Sequence, residues 1–405
     1  MVTLSLPGHL DLIKQINAGM VYRLIDRFGP ISRIDLSKKS QLAPASITKI
    51  VREMLDAQLI KEIALDETFS RGRPAIGLLT DNGGWHYLAV QMTADQLRFA
   101  LCDFSQCCIA QQSCPLPVDR HAPLMEVIIQ AMDAFFIAHQ NKLERLTAIA
   151  FTLSGIIDTV SGIVHHLPYY SIGKIPLKST LESHTGLPVY IQTVVAAWTL
   201  AEALFGAAQD EQNVIQIMNA ENVDVGVITG GKQLHSSNRS SLGLGHIRVV
   251  ESGEVCYCGN TGCLETFAGI SGILSRTELA LAAGRSSLLK YEVLSPETLC
   301  QAANQWDDLA CEMLAQTGEA IGSLVSIMVN LFNPQKILIG SPLNLASSLL
   351  FSALNDAIDK RTLPLYHEKM RMLLTHFPLH DLMIPAALVK QELYKGGLLV
   401  RLLQG

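Results

Sequence analysis

Residues that commonly bind metal ions are concentrated in one short segment of the chain. Residues 245–266 read GHIRVVESGEVCYCGNTGCLET and contain one histidine and three cysteines with the spacing His-x9-Cys-x-Cys-x4-Cys. Three thiolates and one imidazole complete a tetrahedral zinc shell, which leaves no open position for a catalytic water. The candidate metal ligands are His246, Cys256, Cys258 and Cys263.

Three other interpretations of this segment compete with a structural zinc site. A catalytic ion needs an open coordination position, which four protein ligands do not leave. A zinc finger that contacts DNA needs a basic helix, and no such helix follows the cluster. Reduced cysteines in an ordinary loop are the third alternative. Because Gly259 and Gly262 allow the loop to curl tightly enough to bring Cys263 round, we expect a structural zinc ion.

The composition indicates a soluble, globular protein of two or three domains. Its 405 residues are 49% hydrophobic and 17% charged, which is enough to bury a large core. Asp11 and Lys14 interrupt the apolar N-terminal run, and no uncharged apolar stretch is long enough to cross a bilayer. Nine cysteines, an odd number, fit a reducing compartment. We therefore expect a cytoplasmic protein without membrane insertion.

The charge is distributed unevenly along the chain. Residues 1–80 contain 11 Lys/Arg and 8 Asp/Glu, a net charge of +3, whereas the remaining residues contain 20 and 29, a net charge of −9. A mildly basic N-terminal region therefore precedes an acidic body. This asymmetry alone is weak evidence for nucleic-acid binding, because a small excess of Lys is usually a solvated face.

The first 56 residues predict three helices with a tight turn before the third. Apolar residues recur at helical spacing between 17 and 28, and Gly29-Pro30 ends the first helix. Ser32 followed by Asp35 indicates the capped start of a second helix, and Pro44 suits the first position of a third. This order predicts a helix-turn-helix, with an ordinary three-helix subdomain as the alternative.

In a helix-turn-helix, exposed side chains near the start of the third helix reach base edges in the major groove. The apolar face of this helix is predicted at Ile47, Val51, Met54 and Leu55. The candidate DNA-contacting residues are Ser46, Thr48, Lys49 and Arg52.

Residues 59–80 resemble the wing of a winged helix, because two β-prone runs flank a polar tip. The tip reads SRGRP at 70–74, and the guanidinium groups of Arg71 and Arg73 could enter the narrow minor groove of A·T-rich DNA. A solvated linker is the alternative.

From about residue 83, strands alternate with helices. LTAIAFTLSG, LPVYIQ, NVIQIMNA, DVGVITGG and KILIGS read as buried strands, and AAWTLAEALFGAA and TGEAIGSLVSIMVNLF read as helices. This alternation predicts an α/β body of two lobes with a cleft between them. We expect Trp85, Trp198 and Trp306 to be core or lobe-packing residues, and Cys102, Cys107, Cys108 and Cys114 to be buried free thiols rather than a second metal site.

Taken together, GPISRIDLSKKSQLAPASITKI, SRGRPA, CYCGNTGCLET and LFNPQKILIG resemble the ROK family of repressors, open reading frames and sugar kinases. The resemblance runs essentially end to end and is strongest to bacterial repressors that respond to glucose or N-acetylglucosamine. It implies a winged helix-turn-helix, an actin-like, sugar-kinase-type two-lobed body, a structural zinc ion, and a homodimer or tetramer. It also implies three units: a DNA-binding domain with linker at 1–82, a small lobe at 83–192 completed by about 384–405, and a large lobe at 193–383.

The residues that a kinase of this family needs are missing. Members resemble one another in an Asn-Asp pair after the strand that here reads LPVYI, but Thr193 and Val194 stand in its place. Val cannot accept the proton of an attacked hydroxyl. The family's Gly-x-Gly-x-Gly phosphate turn keeps only Gly226, with Asn222 and Asp224 in the earlier slots, and the Asp-x-Gly-x-Thr loop reads QMTA at 91–94. We expect no enzyme activity.

The same losses affect sugar binding. Sugar-binding members carry a Glu ahead of the zinc-site His, where this chain has Gly243. Only His246 and Glu265, with Asp158 as a candidate third residue, remain of the polar groups that would surround a hexose. Because each charge-assisted hydrogen bond contributes about 1–3 kcal/mol, the loss of at least three should abolish useful affinity. We predict a degenerate sugar pocket.

The resemblance therefore predicts a DNA-binding repressor of carbohydrate uptake or metabolism genes that binds an A/T-rich inverted repeat and is not induced by direct hexose binding. The glucose-responsive relative is sequestered by the glucose permease of the phosphotransferase system, so a permease domain is a candidate partner. The alternative is a ligand-sensing or oligomerising regulatory module that responds to a non-hexose ligand or a protein partner.

Overall fold

The computed structural model describes residues 9–65, 75–117, 119, 121–170, 173–220, 222–236 and 242–404. The N-terminal unit consists of α1 (His9–Phe28), α2 (Arg33–Ser40), α3 (Pro44–Asp56) and the antiparallel strands β1 (Ile60–Leu65) and β2 (Ala75–Thr80). The Ser32 hydroxyl accepts a hydrogen bond from the Asp35 N–H at 3.1 Å and caps α2, as the sequence predicts. Three helices followed by two antiparallel strands match the order of elements that the sequence predicts for a winged helix-turn-helix.

The first lobe is built on a five-stranded sheet of order β5-β4-β3-β6-β9. Large apolar side chains cover one face of this sheet under α4 and α5, whereas alanines line the opposite face. The elements of this lobe are β3 (His86–Met92), β4 (Gln96–Asp103), β5 (Cys108–Pro115), α4 (Leu124–Ala138), β6 (Leu146–Leu153), β7 (Ile156–Asp158), β8 (Ile163–His166), α5 (Leu177–Thr185) and β9 (Val189–Thr193).

The second lobe is built on a five-stranded sheet of order β12-β11-β10-β13-β14. The remaining elements are α6 (Val194–Phe205), β10 (Val214–Asn219), β11 (Val223–Thr229), β12 (Lys232–Gln233), α7 (Leu264–Ala268), α8 (Ile270–Ala282), α9 (Pro296–Asn304), α10 (Asp308–Phe332), β13 (Lys336–Gly340), α11 (Ser347–Asp359), α12 (Pro364–His367), β14 (Arg371–Leu374), α13 (Met383–Lys395) and α14 (Gly397–Gln404). We assign α7 to α12 to this lobe.

Helices α6 and α13 pack against each other between the two sheets. Helix α13 also contacts β3, β6 and β9, so the C-terminal helix returns to the first lobe as the resemblance implies. Helix α6 contacts β11, where Gly226 makes the approach possible, because a Cβ at this position would lie 1.9 Å from the Thr199 hydroxyl. Along the chain, the strands of the first sheet end at residue 193 and the strands of the second sheet all follow it. This order favours the predicted domain boundaries, which stay a prediction.

The N-terminal unit is docked on the C-terminal helices through α1. A Cβ at Gly19 would lie 2.3 Å from the Tyr394 carbonyl oxygen, and one at Gly396 would lie 1.9 Å from the Gln15 carbonyl oxygen, so both glycines are needed for this close approach. Across the same interface, Lys390 Nζ lies 2.7 Å from Asp26 Oδ1, and the Tyr394 hydroxyl donates to the other carboxylate oxygen of Asp26. The core of the N-terminal unit is therefore continuous with that of the body.

Four sequence-based expectations about single side chains are wrong. Trp306 is 77% exposed, because it lies in the turn between α9 and α10 with a φ of +62°. Cys107 and Cys108 are exposed at the turn into β5 and Cys114 is only half-buried, whereas Cys102 is buried as expected. Within the described residues, no helix is long and apolar enough to span a membrane.

The Asp26–Lys390 pair should stabilise the docked N-terminal unit. The side chains are only 16% and 6% exposed, so Lys390→Met leaves a carboxylate buried without its cation, which costs about 3 kcal/mol. Lys395→Met is the matched control, because Lys395 is 55% exposed and its loss should cost less than about 0.5 kcal/mol. Urea unfolding measures both variants, and equal destabilisation would contradict the importance of the buried pair.

Candidate metal centre, cleft and DNA-facing helix

The four predicted metal ligands lie together in the second lobe. Their ligand atoms are all within 4.8 Å of one another. Cys258 Sγ lies 3.7 Å from Cys263 Sγ, and Cys256 Sγ lies 3.5 Å from His246 Nδ1. One imidazole and three thiols at these distances could hold a metal ion.

The backbone of the loop brings the four ligands together. Gly259 and Gly262 have φ angles of +91° and +70°, which L-residues with side chains rarely adopt. A Cβ at Gly262 would lie 2.1 Å from the Val250 carbonyl oxygen, so this position also requires the missing side chain. The Cys256 N–H donates to the Asn260 carbonyl at 2.7 Å and closes the turn. The two glycines therefore do what the sequence predicts.

The second nitrogen of His246 contacts a residue that sequence reasoning missed. His246 Nε2 lies 3.1 Å from the Tyr257 hydroxyl, and the two rings meet edge to face at 87°. The Tyr257 ring in turn stacks on His166 of β8, with centroids 5.1 Å apart. Partial burial, and secondarily the nearby His166, lower the pKa of His246. The sequence contains one signal for this contact, because Tyr257 lies between two of the predicted metal ligands.

Two of the remnant sugar-binding residues, Glu265 and Asp158, accept hydrogen bonds from backbone N–H groups of the protein itself. Glu265 is buried at 8% exposure and accepts a hydrogen bond from the Val223 N–H at 2.7 Å. Burial, with a smaller contribution from Asp224, raises the pKa of Glu265 to about 7, although the Val223 hydrogen bond opposes this rise. Asp158 accepts hydrogen bonds from the Val160 and Ser161 N–H groups, so its carboxylate stabilises its own turn.

The described cavities beside the end of β9 and the start of α6 are small. Thr193 ends β9 and Val194 begins α6, and both are buried. Two cavities border this region, one lined in part by Gln91 and Val194 and the other by Ser154 and Tyr170. Each has a volume of about 10 Å³, which is room for about one water molecule. Ligand pockets typically measure several hundred Å³.

A segment between β14 and α13, which we call the strap (residues 376–382), fills part of this cleft. Side chains from α6 and from the first sheet hydrogen-bond to its backbone and hold it between the lobes. The four bonds are Phe377 N–H to Glu202 Oε1 at 2.9 Å, Trp198 Nε1 to Phe377 O at 3.1 Å, Gln91 Nε2 to Leu379 O at 3.0 Å and Arg98 Nη1 to His380 O at 2.6 Å.

The predicted DNA-contacting side chains of α3 are on the surface. The buried face of this helix consists of Ile47, Ile50, Val51 and Met54, and Leu55 is half-buried. Ser46, Thr48, Lys49 and Arg52 are exposed. Helical periodicity places the last three of these on the side opposite the buried face. Arg71 and Arg73 lie outside the described residues.

Comparisons with known proteins cover the whole chain. A model of the ROK family matches residues 87–377. The DNA-binding transcriptional repressor Mlc of Escherichia coli (strain K12) is 50% identical over 406 residues, which are 100% of both chains. The DNA-binding transcriptional dual regulator NagC of the same strain is 34% identical over 397 residues, or 98% of both chains.

Solved structures give the same picture. The crystal structure of a ROK family transcriptional regulator, described as a homologue of the E. coli Mlc protein, matches with a TM-score of 0.90 and 40% identity, covering 98% of this chain and 100% of that chain. A ROK family glucokinase from Streptomyces griseus, solved with glucose and AMPPNP, has a TM-score of 0.62 and 21% identity over 75% of this chain and 98% of that chain, which shows a shared fold. From the family match over 87–377 and the end-to-end relatives, we conclude that this chain belongs to the ROK family.

Proposed function

We propose that this protein is a DNA-binding transcriptional repressor of carbohydrate uptake or metabolism genes that binds an A/T-rich inverted repeat as a homodimer or tetramer. The observation that carries the proposal is the match to a DNA-binding repressor at 50% identity over the full length, which includes the N-terminal unit. A two-fold repeat in the DNA would match a two-fold symmetric protein.

Recognition would begin with α3 in the major groove. Ser46 and Thr48 would lie near base edges, and Lys49 and Arg52 would contact bases or phosphates, because all four side chains are exposed on this helix. Arg71 and Arg73 would enter the adjacent minor groove, where A·T-rich sequence makes the potential most negative.

The body would not be induced by a hexose and would not transfer phosphate. Val194 stands where the family carries a carboxylate, and it lines one of the two cavities of about 10 Å³. Gln91, in the first phosphate loop, uses its amide to hold the strap. Regulation would then come from a protein partner that binds the surface, and a sugar permease domain of the phosphotransferase system is the candidate.

The metal ion would be zinc with a structural role. Tetrahedral bonds of about 2.3 Å to sulfur and about 2.0 Å to nitrogen place two sulfurs about 3.8 Å apart, and a sulfur about 3.5 Å from a nitrogen. The observed distances of 3.7 Å between Cys258 and Cys263 and 3.5 Å between Cys256 and His246 fit this geometry. Zinc at this place would cross-link the loop to the start of α7.

A second candidate function is a regulatory module that senses a non-hexose ligand. The observation in its favour is an open cavity of about 1030 Å³ beside the strap, whose lining includes Arg98, Cys102, Trp198 and Ser341. In this case, DNA affinity would be secondary, and binding would show no sequence preference.

DNA binding tests the proposal directly. We expect Arg52→Ala to weaken binding to an A/T-rich palindrome by about 1–3 kcal/mol, or roughly 5- to 150-fold, because it removes a base or phosphate contact. Lys49→Ala should also weaken binding and make it less dependent on salt. The control is Lys360→Ala, an exposed lysine on the second lobe. Gel shifts with the palindrome and with a scrambled duplex measure the affinity of each protein for DNA. Equal affinity of the wild type for both duplexes would contradict the proposal.

Zinc content tests the proposed metal site. The purified protein should contain about one zinc ion per chain, and Cys258→Ser should lose it, because three ligands hold the ion far more weakly than four. Chelation of the wild type should lower its thermal unfolding temperature. Cys311→Ser is the control, since Cys311 is outside the cluster. Retention of stoichiometric zinc by Cys258→Ser would contradict the assigned ligand set.

A further inference from the structure

We infer that Tyr257 connects the metal site of the second lobe to the first lobe: its hydroxyl holds His246 in the metal-binding orientation, and its ring docks on His166. The inference rests on the proposed zinc site. It adds a positioning residue that contacts no metal itself, and a route by which metal binding affects the arrangement of the lobes.

The hydroxyl contact determines which nitrogen of His246 faces the metal. Nδ1 lies 3.5 Å from Cys256 Sγ, inside the ligand cluster, whereas Nε2 lies 3.1 Å from the Tyr257 hydroxyl on the outside. A neutral imidazole that binds metal through Nδ1 carries its proton on Nε2, which can then donate to the phenol oxygen. Such an outer partner fixes the tautomer and the ring orientation of a ligating histidine.

The ring contact bridges the two lobes. Tyr257 belongs to the metal-binding loop of the second lobe, whereas His166 ends β8 of the first lobe. Their rings are nearly parallel, at 18° and 5.1 Å between centroids. Stacked aromatic rings contribute about 0.5–1.5 kcal/mol beyond the area that they bury. The stack therefore adds a contact between the loop and the β7–β8 hairpin.

The contacts of Tyr257 with His246 and His166 depend on the metal because of where Tyr257 lies in the sequence. Tyr257 is flanked by Cys256 and Cys258, so both of its neighbours are ligands. A bound ion fixes the backbone on both sides of the tyrosine and thereby the place of its ring. Removal of the ion should release the loop, and with it the stack on His166.

Two variants separate the two contacts. Tyr257→Phe removes the hydroxyl and keeps the ring, whereas His166→Ala removes the stacking partner and keeps the hydroxyl. Tyr291→Phe is the control, because Tyr291 is 89% exposed. Three measurements apply to each full-length protein: the rate of zinc release to a chelator, the visible absorption of the cobalt(II)-substituted site, and hydrogen exchange of residues 156–166.

We expect Tyr257→Phe to release zinc about 10- to 100-fold faster and to shift the cobalt absorption, with hydrogen exchange of 156–166 unchanged. His166→Ala should lose hydrogen-exchange protection in the β7–β8 hairpin while zinc release stays near the wild-type rate. Chelation of the wild type should reproduce this loss of protection. Circular dichroism verifies that every variant is folded.

The outcomes distinguish the inference from the proposal on which it rests. If the wild type holds zinc and Tyr257→Phe releases it at the wild-type rate with an unchanged cobalt spectrum, the positioning role is wrong. If chelation leaves the exchange of 156–166 unchanged, the connection to the first lobe is wrong. A wild-type chain that binds no zinc overturns the proposed metal site and the inference with it.

Discussion

The backbone of the strap is held by side chains from α6 and from the first sheet, so the strap connects the two lobes of the body. Glu202 and Trp198 of α6 bond to Phe377, and Gln91 of β3 bonds to Leu379. Buried polar groups need partners, so withdrawal of the strap would remove the partner of the Trp198 indole N–H, of the Gln91 amide and of one Glu202 carboxylate oxygen. Leu379 and His380 of the same segment also line the small cavity that borders Val194.

The strap also leads directly into α13, and α13 carries the N-terminal unit. Helix α13 packs between α6 and the first sheet, and its Lys390 pairs with Asp26 of α1. The helix that would present Lys49 and Arg52 to DNA is thus built on the same core as the two lobes. In the proposed repressor, a partner that binds the surface and changes the packing of this core would move α3 relative to the two lobes. It would do so without entering a sugar pocket.

The parts of the structure that depend on local sequence could be predicted. The cluster of His246 with three cysteines follows from their spacing, the α2 cap from Ser32, and the sheet strands from continuous apolar runs. The strap could not be predicted, because Gln91 and Leu379 are 288 residues apart and nothing in either local sequence indicates their pairing. Gly226 looked like the remnant of a phosphate turn, yet the structure gives it a packing role against Thr199. The role of Tyr257 likewise depends on His166, which belongs to a different lobe.

We expect that this protein combines the fold of a sugar kinase with a cleft that does not admit a hexose. Calorimetric titration of the zinc-loaded protein with glucose and with N-acetylglucosamine tests this expectation. We expect no heat of binding for either sugar at millimolar concentration, because the cavities of about 10 Å³ beside Val194 and Ser154 hold about one water each. Saturable binding of either sugar with a micromolar Kd would contradict it.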